Sequence, residues 1–147
     1  MRRSSARGAS FLEVLVLVGV LAFLLLTALP QFRVPVQIPV GQAARDVAAD
    51  MGLARRLAIA GRANYVVTFT PGSGPFTAYT VAPQGGPPGP DFPKAFPAGV
   101  TVTGTPTITF APNGAASANA TLTFADGAAT AQVQVLAATG FVQETGP

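Results

Sequence analysis

The hydrophobic pattern of this chain falls into three regimes. From Ala9 to Leu29 apolar residues run almost unbroken, with only Ser10, Glu13 and Thr27 clearly polar. At about 1.5 Å rise per residue the run predicts a helix of roughly 31 Å, enough to cross the hydrocarbon core of a bilayer. From Gln42 to Ala60 the period is helical but one-sided. Ala44, Val47, Met51, Ala54 and Ala58 share one face, with Leu57 beside them, while Arg45, Asp46, Asp50, Arg55 and Arg56 lie mostly elsewhere. After Gly61, a plausible C-cap, the period drops to two.

That alternation predicts strands at Asn64–Thr70, Phe76–Val81, Gly99–Thr103, Thr107–Ala111, Ala120–Phe124 and Thr130–Leu136, with a short edge at Phe141–Gln143. Pro83–Pro90 carries too many prolines for a ladder, and Asn113-Gly114 and Asp126-Gly127 mark turns. Val67, Phe69, Ile108, Phe110, Leu122, Phe124, Val133 and Val135 are the candidate core. Between the two helical regimes Pro35 and Pro39 each remove a helical hydrogen bond, so the connector is expected to break the helix or run extended.

The fold class expected is α+β: a transmembrane helix, a proline-containing connector, and an amphipathic helix packed on an antiparallel sheet or sandwich head. In residue ranges these are a leader at 1–8, the membrane helix at 9–29, the connector at 30–41 and the head at 42–147. Within the head the helix occupies 42–60 and the β domain 64–143.

Charge narrows the function. The chain carries nine basic and six acidic residues, but Arg2, Arg3 and Arg7 precede the apolar run, where they favour a cytoplasmic N-terminus. Arg33, Arg45, Arg55, Arg56, Arg62 and Lys94 then balance the acids. The apparent basicity is a topological signal rather than a nucleic-acid footprint. Arg55, Arg56 and Arg62 form the one cluster that could touch an anion or DNA, and it reads first as a solvated helix end. Cysteine and histidine are absent, which removes disulfides and the commonest nucleophile, general base and zinc ligands. No catalytic residue, metal site or cofactor is expected, and the chain is not read as an enzyme.

Glu13 is the unusual residue. A carboxylate deep in a membrane helix costs about 2.5–3.5 kcal/mol on insertion scales, and such residues are functional candidates by default. A plain anchor has no need of it. A helix that packs beside copies of itself could pair it with a neighbour's free N-terminal amine. A secretory signal peptide would put small residues after the apolar region; here Leu29-Pro30-Gln31 follows.

A basic leader ending at Gly8, then Glu13 five residues on in an apolar helix, resembles the class III signal of type IV prepilins and type II secretion pseudopilins. In the head, Ala48–Arg62, Phe96–Val102 and Ile108–Ser117, with the Phe110-Ala111-Pro112-Asn113-Gly114 turn, resemble the GspH/FimT group of minor pseudopilins and minor pilins. The resemblance implies cleavage after Gly8 by a prepilin peptidase, N-methylation of Ala9 and assembly through Glu13. It implies other pilin or pseudopilin subunits and the inner-membrane assembly platform as partners. The chain would first be a single-pass inner-membrane protein with a periplasmic head, then part of a pilus or pseudopilus.

Three departures stand out. Ala9 replaces the usual phenylalanine or methionine, and the connector prolines interrupt what is commonly one long helix. Where some FimT-type subunits carry a basic DNA-binding motif, this chain reads Gly140-Phe141-Val142-Gln143, which argues against DNA as a partner. A DNA-uptake minor pilin and a plain membrane-anchored surface domain are the alternatives.

Overall fold

The computed structural model describes Phe11, residues 14–20 and residues 40–146. The chain divides into two compact units between Val36 and Gln37. In the first, residues 14–20 are helical, and the large side chains from Val14 to Val18, with Val20, are exposed. Among the described residues no helix is long and apolar enough to cross a membrane. Gly8, Ala9, Glu13, Pro35 and Pro39 lie outside the described residues, as do most of the predicted 9–29 span and connector.

In the second unit one helix, α1 (Val40–Gly61), precedes eight described strands. These are β1 (Tyr65–Thr70), β2 (Ala78–Pro83), β3 (Lys94–Ala95), β4 (Thr101–Gly104), β5 (Thr107–Phe110), β6 (Ala120–Ala125), β7 (Thr130–Leu136) and β8 (Phe141–Thr145). They form two four-stranded sheets, ordered β3-β2-β1-β5 and β4-β6-β7-β8, and every pairing is antiparallel. α1 packs against strands of both sheets.

The alternation sets which side faces α1. In β6 and β7 every second residue is buried, as a sheet with one solvated face requires. All eight predicted core residues are at most 1% exposed. α1 contributes Ala43, Ala44, Val47, Met51, Ala54 and Ala58. Its seam is therefore mostly alanine, which lets the helix backbone come close to the strands beneath. Aromatic rings fill one side of this core: Phe69 lies 5.3 Å from Phe76 and 5.7 Å from Tyr79, centroid to centroid, and Phe96 meets Phe124 edge-on at 6.1 Å.

The structure corrects several boundaries. α1 begins at Val40, so the last two connector residues are helical and Val40 is buried. Phe76 does not pair in the β1–β2 ladder. Its N–H instead donates to the Val102 carbonyl (2.7 Å), stitching the β1–β2 turn to β4 of the other sheet. β2 consequently runs from Ala78 to Pro83, with Pro83 opposite Tyr65 at the ladder's end, where a missing N–H is tolerated. The two-residue β3 was not expected. The last strand extends two residues beyond the predicted edge.

Two side chains on α1 also differ from expectation. Leu57 is 36% exposed, whereas Asp50 is 9% exposed. Gly61 ends the helix, but the left-handed residue that follows is Arg62 (φ 49°). The Ala63 N–H reaches back to the Ala58 carbonyl (3.3 Å), completing a Schellman-type close.

Candidate assembly surface

α1 carries two polar junctions five residues apart, one at its middle through Asp50 and one in its C-terminal half through Arg55. In the N-terminal half, Asp50 lies three residues after Val47 and four before Ala54, so helical geometry turns it toward the sheet. A carboxylate there must be partnered, because an unpaired buried charge is costly. Tyr79 on β2 donates its hydroxyl to Asp50 Oδ2 (2.6 Å), and Lys94 on β3 donates Nζ to the same oxygen (2.7 Å). The pairing Tyr79↔Lys94 in the β2–β3 ladder delivers both donors to one point. Lys94 also stands 5.1 Å from the Phe92 ring centroid, a cation–π distance.

Burial, then the hydrogen bond to Asp50, push the Tyr79 hydroxyl well above its ordinary pKa, so it stays a neutral donor. The three groups lie along a groove of about 430 Å³, with Asp46 and Phe96 also lining it. Asp46 is exposed and accepts a bond from Gln42 (2.9 Å). Arg45, the residue before Asp46, brings its Nε to 3.4 Å from Glu144 of β8. Glu144 Oε1 nonetheless has no hydrogen-bond partner, so this contact is an attraction between charges rather than an aligned bond.

The second junction, at Arg55, is built on the backbone of a turn. Phe110 anchors the Phe110–Gly114 turn in the core. The Gly114 N–H donates to the Ala111 carbonyl (2.8 Å), and Pro112 sits at the second turn position. Gly114 adopts φ +82°, which favours glycine. Arg55 Nε donates to the Gly114 carbonyl (3.1 Å). Gly140 (φ +61°) abuts that carbonyl so closely that a Cβ there would collide with it.

The predicted arginine cluster is thus divided. Arg55 is half-buried and fixed to the turn. Arg56 is exposed, and it lines a second hollow of about 410 Å³ with Arg55, Gly140 and Phe141. Arg62 is exposed beyond the helix end and is not part of that hollow. Among the described residues no group of three or more acidic, histidine or cysteine side chains could hold a metal ion. Sequence reasoning missed Asp50, Tyr79 and Lys94 as a unit. The spacing from Val47 and Ala54 would have placed Asp50 on the buried face, but nothing in the sequence pointed from it to Lys94.

A single helix laid over two antiparallel sheets, closed by a glycine turn pinned to that helix, defines a pilin-type head. Residues 43–140 match the family of the type II transport protein GspH. The chain belongs to the GspH family.

Solved structures agree at the level of fold. The type IV minor pilin FimU of Pseudomonas aeruginosa superposes with a TM-score of 0.60 at 16% identity, over 74% of this chain and 92% of that one. The minor pseudopilin EpsH from the type 2 secretion system of Vibrio cholerae gives a TM-score of 0.59 at 12% identity, over 71% of this chain and 94% of that one. No curated protein matches the chain in sequence.

Proposed function

We propose that the chain is a minor subunit of a type II secretion pseudopilus or type IV pilus, a structural part with no catalysis of its own. The observation that carries the reading is the co-occurrence of a GspH-family head with Gly8 and Glu13 at prepilin spacing on one chain.

The leader arginines hold the precursor with its N-terminus in the cytoplasm until a prepilin peptidase cuts after Gly8. The freed amine of Ala9, methylated in the mature chain, is a cation at the start of an apolar helix. Glu13 of a neighbour is its counter-ion. In a medium of low dielectric two opposite charges a few ångströms apart attract strongly, and leaving either unpaired is costly. The pair therefore sets the register at which one subunit joins the next, while the apolar helices bury one another. The exposed apolar side chains of residues 14–20 suit that burial. The inner-membrane assembly platform would extract the subunit with its head on the periplasmic side.

The test uses the full-length chain in cells with an intact assembly system. Gly8→Asp is expected to leave the leader attached, read as a retained mass by mass spectrometry. Glu13→Val is expected to be trimmed normally yet be missing from the sheared filament fraction. Normal trimming of the first variant removes the leader from the reading, and normal recovery of the second removes the pairing role.

A further inference from the structure

An edge strand exposes a row of unpaired N–H and C=O groups, and a sheet has to guard that row or another chain will pair with it. Among the described residues, three of the four sheet edges in the head are guarded. Beyond β5, residues 115–117 fold back. The Ala111 N–H donates to the Ala115 carbonyl and the Ser117 N–H to the Thr109 carbonyl, each at 2.8 Å. Beyond β4, Phe76 holds the Val102 carbonyl (2.7 Å). β3 is two residues long, carries Lys94 and lies between Pro93 and Pro97. β8 is different. It ends the order β4-β6-β7-β8 and pairs with β7 on one side. Among the described residues no backbone group bonds to its other side. Its five residues include no proline or lysine, and its one charge, Glu144, is drawn to Arg45 of the same chain.

The free side of β8 opens on the hollow of about 410 Å³ that Arg56 lines. α1 floors this hollow with Ala48, Ala49 and Gly52, and no residue of β7 lines it, so it lies beyond the edge rather than under the sheet. A Cβ at Gly52 would meet nothing within 4 Å, so the space there is open. Arg56 is exposed, and Arg55 beside it gives only Nε to the Gly114 carbonyl. Neither guanidinium has an acidic partner among the described residues. On the opposite face of the edge, Phe141 and its ladder partner Leu136 are exposed apolar side chains.

We infer that the free edge of β8 pairs with an extended segment of a different subunit of the same filament, and that this segment carries an acidic side chain for the hollow. A strand added to β8 lies about 4.8 Å away, and its side chains alternate between the two faces. One set points toward α1, where the small residues leave room. The other lies over Phe141 and Leu136. A carboxylate in the first set comes within reach of Arg56, and guanidinium–carboxylate pairing is strong and directional. A basic side chain there would meet two guanidinium groups and be rejected. Backbone bonds give attachment, and the arginines choose the partner. A minor subunit is surrounded by chains of other kinds, so the added strand comes from one of those. A short ladder is weak alone, but helices anchored side by side raise the effective concentration of one head for the next. This inference rests on the subunit reading above.

The test places the photoreactive residue p-benzoylphenylalanine at Gln143 of the full-length chain, in cells with an intact assembly system. Gln143 is exposed on β8, and the change leaves Arg55, Arg56 and the backbone in place. Irradiation is expected to give an adduct to a different pilin-type subunit, mapped by mass spectrometry to an extended segment with an acidic residue. The same probe at Thr121, exposed on the inner strand β6, is expected to give none. Arg56→Glu alongside the Gln143 probe is expected to lower the adduct about tenfold, and Arg56→Lys to keep most of it. No adduct, or one that Arg56→Glu leaves unchanged, overturns the contact. An adduct to a second copy of this chain, or to nucleic acid, overturns it too. Recovery of the parent chain in sheared filaments reports on the subunit reading separately. Filaments without the adduct sink the contact alone, the adduct without filaments sinks the reading alone, and loss of both sinks both.

Discussion

Two points on α1, Asp50 at its middle and Arg55 five residues on, are fastened to the β domain by different chemistry. At Asp50 the helix is tied through side chains: one carboxylate, one hydroxyl and one ammonium, in a groove open to water. At Arg55 the side chain holds a backbone carbonyl, that of Gly114, and a second glycine is pressed against the same atom. A side-chain junction can be re-tuned by exchanging partners or by changing pH. The second junction tolerates almost nothing at Gly140, because any Cβ there would collide with the Gly114 carbonyl. The first junction is suited to meeting other molecules, and the second to fixing the helix in place.

The largest effect is expected where there is least slack. Gly140→Val places a branched Cβ against the Gly114 carbonyl at a left-handed φ and is expected to cost about 3 kcal/mol. Urea unfolding measures it; a loss below a third of that would mean that the turn moves aside.

Asp50→Ala comes next. It leaves the Tyr79 hydroxyl buried without its acceptor, while Lys94, whose side chain is 40% exposed, can turn to solvent. The expected cost is about 2 kcal/mol. Combined with Lys94→Met it should fall short of the sum of the single losses, because both changes break one junction. Strict additivity would show that Lys94 and Asp50 are merely neighbours.

A smaller effect appears with pH. Tyr79 holds its proton above the ordinary tyrosine value of about 10, while the unfolded chain releases it there. Stability from this group is complete below that pH and declines above it, since the unfolded state then binds fewer protons. Tyr79→Phe should flatten the alkaline limb of a stability profile relative to the parent, and an unchanged limb would refute the buried-donor role. The same substitution leaves the Arg55–Gly114 junction untouched, so it separates the two junctions.

The smallest effect has the opposite sign. Arg62 occupies a left-handed position usually given to glycine. Arg62→Gly is expected to stabilise the isolated head by up to about 1 kcal/mol. No gain would mean that the arginine stem packs in a way that offsets the strain.

Much of this architecture was legible in the chain. Alternation in Ala120–Phe124 and Thr130–Leu136 gave the facing strands and their buried sides, because one wet face imposes a period of two. The stripe from Ala44 to Ala58 gave the buried face of α1. Phe76 was misplaced because its hydrogen bond goes to the other sheet, a long-range choice that local alternation cannot encode. β3 escaped notice for a related reason. Two residues, Lys94 and Ala95, have no period; their ladder partners Tyr79 and Ala78 are distant in sequence, and the ammonium goes to Asp50 of α1. The arginine cluster read as one feature because the residues are close in sequence. Only the fold separates Arg55, bound to a turn 59 residues away, from Arg56 and Arg62.

Tyr79 gives the head one more property. The chain contains no tryptophan and only two tyrosines. The tyrosine emission of the protein therefore arises from Tyr65 and Tyr79 alone, and one of them sits in the groove with its hydroxyl against a carboxylate. Such a hydrogen bond quenches phenol emission. Any event that draws Asp50 away from Tyr79 would brighten the native protein, and rearrangement of the groove could be followed by light without a label.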